Sequence, residues 1–125
     1  MIKSLFLVGV GGAAGSMCRY AVAQAVSRAG AAMFPLATFG VNLVGSFIIG
    51  VLFGMASRGN NWLVQGGGML LLATGFCGGF TTFSSFALEN VALMQKEHTP
   101  MALLYSVASV AGGLLLCRWG MTLTS

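Results

Sequence analysis

Charge is what this chain has least of. Only 6% of its 125 residues are charged, and only two of those, Glu89 and Glu97, are acidic. A water-soluble domain stays dispersed by its charged surface, and this chain cannot make one. Two distant acids supply no paired carboxylates, and no catalytic triad, metal cluster or phosphate-cradling loop stands in for them, so enzymatic chemistry has no candidate residues. The three cysteines, Cys18, Cys77 and Cys117, are odd in number, far apart and set in apolar sequence. Neither a disulfide framework nor a zinc site follows, and they read as small buried hydrophobes. The net charge of +4 comes from six basic residues scattered singly along the chain. That is no nucleic-acid footprint; they mark the ends of membrane spans.

Apolar sequence is what remains: 57% of the residues are hydrophobic and the mean hydropathy is +0.90. Roughly 29 uncharged residues separate Arg28 from Arg58 and roughly 30 separate Arg58 from Glu89, each more than the ~20 that cross a bilayer. The first apolar run begins near Lys3 and continues to Cys18 without a small-residue cleavage site, so no signal peptide is expected. The spacing predicts a single all-α domain over 1–125, with helices at about 2–27, 36–56, 62–94 and 100–121. Turns fall at 30–35, 57–61 and 96–98. Pro35 restarts a helix after the first, and Thr99-Pro100 reads as a cap and first-turn proline after the third. His98, between charged neighbours and that proline, is expected in water.

A helix over 62–94 would be about 50 Å long against ~30 Å of hydrocarbon. Gly75, Gly78 and Gly79 stand beside Thr81 and Thr82, all poor helix formers, which predicts a break near 75–82. Non-helical backbone at that depth is tolerated only against protein or water.

The basic residues are balanced between the two sides. With an even number of spans, Lys3, Arg58 and Arg118 share one side, while Arg28, Lys96 and, by its place late in helix one, Arg19 share the other. Orientation follows the Lys and Arg imbalance, which is absent here. Copies inserting both ways are expected to pair as an antiparallel, two-fold homodimer, because four spans are few to enclose a pathway. Gly11 and Gly15 on helix one, and Gly112 and Gly113 on helix four, permit close helix packing.

Polar groups deep in membrane helices are costly unless they meet a partner or water. Thr38, Asn42 and Ser46 recur every four residues on helix two; Tyr105 and Ser109 do so on helix four, with Ser106 beside them; Thr82 and Phe86 do so on the third segment. All three stripes are expected to face one seam. Any single hydroxyl there is accounted for by a bond to its own helix, but three aligned stripes beside a break point to a permeation path. Hydroxyls, an amide and free N–H groups at a half-helix start donate hydrogen bonds, and no acidic ring is present, so the ion expected is an anion. Phe83 and Phe86 are either packing residues or rings turned edge-on, where the aromatic quadrupole is positive. Carbonyls freed at the break suit a small structural cation on the two-fold axis. Arg19 and Glu89 either snorkel to an interface or line an aqueous vestibule.

The run Gly78-Gly-Phe-Thr-Thr-Phe-Ser-Ser-Phe86, with Gly40-Val-Asn-Leu-Val-Gly-Ser46 and Gly11-Gly-Ala-Ala-Gly-Ser-Met-Cys-Arg-Tyr20, resembles the Fluc (CrcB) family of fluoride channels across the whole chain. The resemblance implies a multi-pass protein of the bacterial inner membrane, surrounded by lipid. It implies an antiparallel dual-topology homodimer with two pores that passively release cytoplasmic fluoride and so protect against its toxicity. By the same resemblance Phe83 and Phe86 correspond to the family's phenylalanine box, Asn42 to its pore asparagine, and Tyr105 and Ser109 to its helix-four pore positions. Thr82 and Ser85 correspond to hydroxyls near the break, with Ser85 standing where the family often has threonine. Thr38 joins them through its stripe. The family's structural Na+ would lie on the carbonyls of Gly78 and Thr81, Arg19 in the vestibule, and Glu89 on the polar track.

A four-helix, dual-topology transporter of the small multidrug kind shares the size, hydropathy and charge balance. It needs a coupling carboxylate in helix one, which here carries Arg19 and no acid. A non-transporting assembly subunit explains the packing glycines but not the aligned hydroxyls.

Overall fold

The computed structural model describes residues 1–30, 32–59 and 61–125; Ala31 and Asn60, in the turns expected at 30–35 and 57–61, lie outside the described residues. Helices α1 (Ile2–Ala29) and α2 (Leu36–Ala56) are followed by a single turn, α3 (Trp62–Gln65), and a π-helical stretch, Leu70–Cys77. A short α4 (Gly78–Phe80), then α5 (Phe83–Gln95) and α6 (Thr99–Thr124), complete the chain, with no strand among the described residues. Four segments are long and apolar enough to span a membrane: Ile2–Ala29, Leu36–Ala56, Leu70–Gln95 and Thr99–Thr124.

The third span differs from the single segment expected over 62–94 at its start and in where its break falls. Trp62 opens a separate turn, held by the Asn61 side chain accepting from the Val64 N–H at 3.3 Å. Gly66 to Gly68 then interrupt the chain, with Gly67 at φ 82, a conformation that glycine adopts without steric cost. The Trp62 indole folds over this loop so closely that a Cβ on Gly66 would lie 2.1 Å from the ring. The remaining 26 residues span about 39 Å, so part of the excess length is shed at the membrane mouth before the break is reached.

The break itself is short and sits at the late edge of the predicted window. Thr81 (φ −88, ψ 159) and Thr82 (φ −151, ψ 122) are extended, while Gly75, Gly78 and Gly79 remain helical. Before it, the π-helical stretch lengthens each backbone hydrogen-bonded loop by one residue and so widens the spiral. At the start of α6 the cap position falls on His98, with Thr99 inside the helix and Pro100 in its first turn.

Glycines set how closely the spans approach. A Cβ on Gly11 would lie 2.0 Å from the Leu71 carbonyl oxygen, and one on Gly15 2.1 Å from that of Phe76, so α1 lies backbone to backbone against the π-helical stretch. Between α2 and α6 the tight contacts are Gly50 against Cys117, Gly54 against Met121 and Thr124, and Gly120 against Phe47; the expected Gly112 and Gly113 meet only the Leu43 and Ser46 side chains. One apolar cluster, Leu52, Leu63, Ala73 and Cys77, packs the early half of the third span. Another, Leu93, Ala102 and Tyr105, packs the late half. Cys77 is buried as expected, whereas Cys18 is exposed.

Candidate functional site

A helix break leaves backbone groups without their usual partners, and here the side chains of α1 and α2 take them up. Asn42 on α2 donates from Nδ2 to the Thr82 carbonyl (3.0 Å) and accepts from the Thr82 N–H at Oδ1 (2.8 Å), as a neighbouring strand would. Thr82 then caps α5, its Oγ1 accepting from the Ser85 N–H at 3.1 Å. From α1, the Arg19 Nε donates to the Gly79 carbonyl at 3.0 Å. Arg19 is the third rung of the ladder Gly11, Gly15, Arg19, and it meets the backbone with a guanidinium where the glycines meet it with no side chain.

Two carbonyls at the break lose the donors that a continuous helix would aim at them. The Thr82 N–H, four residues after Gly78, goes to Asn42; the Ser85 N–H, four residues after Thr81, goes to the Thr82 hydroxyl. Gly78 and Thr81 therefore carry carbonyl oxygens released from the helical ladder, and such oxygens fit a small hard cation. Both residues line an open groove of about 450 Å³ between α2, the third span and α6.

That groove also gathers Asn42, Ser46, Thr82, Phe83, Phe86 and Ser109. Two hydroxyls in it are spent on their own helices, Ser46 on the Asn42 carbonyl (2.7 Å) and Thr81 on that of Cys77 (2.9 Å). Ser109 differs. Its Oγ is buried and has no hydrogen-bond partner among the described residues, leaving a donor for a ligand to take up. Phe83 is 78% exposed and lies 5.8 Å, ring centre to ring centre, from Phe86.

The remaining expected site residues lie elsewhere, which corrects the single seam expected of the three stripes. Arg19, Thr38, Ser85 and Glu89 line a second, smaller cavity of about 210 Å³ between α1, α2 and α5; Thr82 alone among the expected residues borders both spaces. Glu89 does not snorkel: Oε2 accepts from the Thr38 hydroxyl and Oε1 from the Tyr105 hydroxyl, each at 2.8 Å. Tyr105 is wholly buried and borders neither space, with its ring 5.0 Å from Phe86 and 5.4 Å from Phe34. It connects the two, touching Phe86 with its ring and Glu89 with its hydroxyl.

One polar residue escaped the sequence reading. Asn90, buried on α5, donates from Nδ2 to the Phe86 carbonyl (3.0 Å) and accepts from the Ser106 hydroxyl of α6 (2.9 Å). Its signal in the sequence is an amide in an apolar span, four residues after Phe86 and next to the charged Glu89.

Residues 6–121 match the family model described as CrcB-like protein, Camphor Resistance (CrcB). The chain is 44% identical over 124 residues, 99% of its own length and 98% of the relative's, to the fluoride-specific ion channel FluC of Azobacteroides pseudotrichonymphae. It is 49% identical over 114 residues to the fluoride-specific ion channel FluC of Chlorobaculum tepidum, covering 91% of this chain and 88% of the relative. With the protein of the same description from Gloeobacter violaceus it shares 47% identity over 117 residues, 91% and 90% of the two chains.

Proposed function

We infer that this chain, which belongs to the CrcB-like family, is a fluoride-specific ion channel of the bacterial cell membrane and not an enzyme. The observation that carries this is near-full-length identity of 44–49% to relatives that bear that description.

The geometry supplies a physical route. Fluoride is small and strongly hydrated, so a pathway must replace its water with hydrogen-bond donors and positive edges. The unpartnered Ser109 hydroxyl and the second N–H of the Asn42 amide are such donors in the groove, and the edges of Phe83 and Phe86 complete the coordination. The one nearby acid stands outside the groove, with both oxygens of Glu89 held by Thr38 and Tyr105, so its charge does not block an anion there. Thr38, Ser85, Arg19 and Glu89 form the approach to the pathway, and Thr82 passes the ion between the two spaces. The flow is passive and carries fluoride out of the cytoplasm.

The functional unit is an antiparallel homodimer. Phe83, 78% exposed, and the open groove leave one wall to be supplied by a second copy, and the balance of three basic residues against three favours insertion both ways. The Gly78 and Thr81 carbonyls, released from the helical ladder, are the groups that would hold a structural Na+, which would supply positive charge to offset those oxygens in the assembled dimer. Replacing sodium by a bulky organic cation lowers dimer stability; stability equal in both salts removes the cation from the scheme. A small multidrug-type exporter is not favoured, because α1 carries no carboxylate to couple a proton.

Fluoride efflux from liposomes holding the purified protein, with chloride as control, tests the function. Fluoride leaves and chloride stays; equal efflux of both, or none from folded dimers, defeats it.

A further inference from the structure

We propose that Asn90 and Ser106 are positioning residues that lock the rotation of α5 and so aim the Phe83 and Phe86 rings into the groove. The proposal rests on the fluoride-channel reading for its function, but its geometry stands without it.

Consecutive residues of α5 bond consecutive residues of α6: Glu89 accepts from Tyr105 and Asn90 accepts from Ser106. Successive residues are about 100° apart around a helix axis, so the two bonds leave α5 in different directions. Glu89 also accepts from Thr38 of α2, so the Asn90–Ser106 bond adds a third direction in which a roll of α5 is resisted, on the side of the helix that carries Phe86 and Phe83. Phe86 falls between them, about 60° from Glu89 on one side and about 40° from Asn90 on the other. Phe83, two turns before Asn90, lies within about 20° of the same azimuth. The rotation that this clasp sets is thus the rotation that places both rings.

The chemistry gives the clasp one arrangement. Asn90 donates its amide N–H to the Phe86 carbonyl, an atom that can only accept, so the amide cannot be turned over without setting oxygen against oxygen. Oδ1 is therefore presented to α6, and Ser106 must donate. Asn90 is 8% exposed, and a buried amide in an apolar span is retained at a cost unless both of its ends are satisfied, as they are here. It lines neither the groove nor the smaller cavity, so it acts through the phenylalanines and does not touch the ion.

The test is a double-mutant cycle read by fluoride efflux from liposomes, with dimer integrity followed by gel filtration. Ser106→Ala removes one hydroxyl and lowers efflux about fivefold, the worth of one net hydrogen bond. Ser106→Thr, which keeps the donor, restores most of that loss. In a Phe86→Ile background Ser106→Ala has a smaller effect, because only the Phe83 ring is left to aim; a residue that merely held the fold would subtract the same factor again. Asn90→Leu, close in volume and unable to bond, repeats the cycle from the other side. Wild-type efflux in intact Ser106→Ala and Asn90→Leu dimers overturns the proposal, as does an undiminished effect in the Phe86→Ile background. Absence of fluoride efflux from the unaltered protein defeats the channel reading instead.

Discussion

The two halves of the third span are fastened mainly by different means. Before the break, the π-helical stretch is held by what is missing, since Gly11 and Gly15 of α1 let the Leu71 and Phe76 carbonyls approach to distances that no side chain permits, and one directional bond, Arg19 to Gly79, is added only at α4. After it, α5 is held by directional bonds, Asn42 to Thr82 at its start, Glu89 to Thr38 and Tyr105 in its middle, and Asn90 to Ser106 beside that. Close backbone packing is insensitive to ions and intolerant of volume, which suits a fixed frame. A scaffold of hydroxyls and amides can hold an element in one rotation while leaving a donor such as Ser109 free for a ligand.

That contrast can be broken at graded points. The largest effect belongs to the frame. Gly15→Leu drives a side chain into the Phe76 carbonyl, where overpacking costs about 3 kcal/mol or more, so no monodisperse protein is expected on gel filtration. Recovery of folded, conducting Gly15→Leu protein would show that the α1 contact is looser than the structure has it. Asn42→Ala comes next. It removes both bonds to Thr82 and lowers stability by about 2 kcal/mol, seen as a reduced thermal midpoint in detergent, together with a loss of flux. An unchanged midpoint means that the break holds itself. Ser109→Ala is the smallest change and separates the two properties. Its hydroxyl has no partner to lose, so stability holds or rises while fluoride flux falls about fivefold; a drop in stability with flux intact reverses the assignment.

Most of the architecture was legible in the sequence because lipid leaves few solutions: apolar length predicts spans, and glycine and threonine at mid-depth predict a break. Hydropathy puts the start of the third span at Trp62, not at Leu70 where the structure has it, because it does not report a reversal made by Gly66, Gly67 and Gly68, which are as uncharged as the helix they precede. Polarity picks out most of the residues that line the two spaces, but not their division between them. Thr38 and Asn42 share a helical face, yet Thr38 turns to Glu89 and Asn42 to the Thr82 backbone, a difference made by where α5 begins. Tyr105 shows the same limit. Its four-residue spacing to Ser109 is correct, but bulk carries its ring into the core beside Phe34, Phe39 and Phe86, leaving only its hydroxyl on the polar network.

The central claim is that the late half of the broken span conducts while the early half supports it. Phe86→Ile tests this most directly, since it removes an aromatic edge from the groove and leaves the glycine frame and the break untouched. Fluoride efflux from liposomes of the intact variant dimer is expected to fall about tenfold or more below that of the unaltered protein, the loss of an aromatic contact to the ion. Equal efflux from the two would contradict the account and return Phe86 to a packing role.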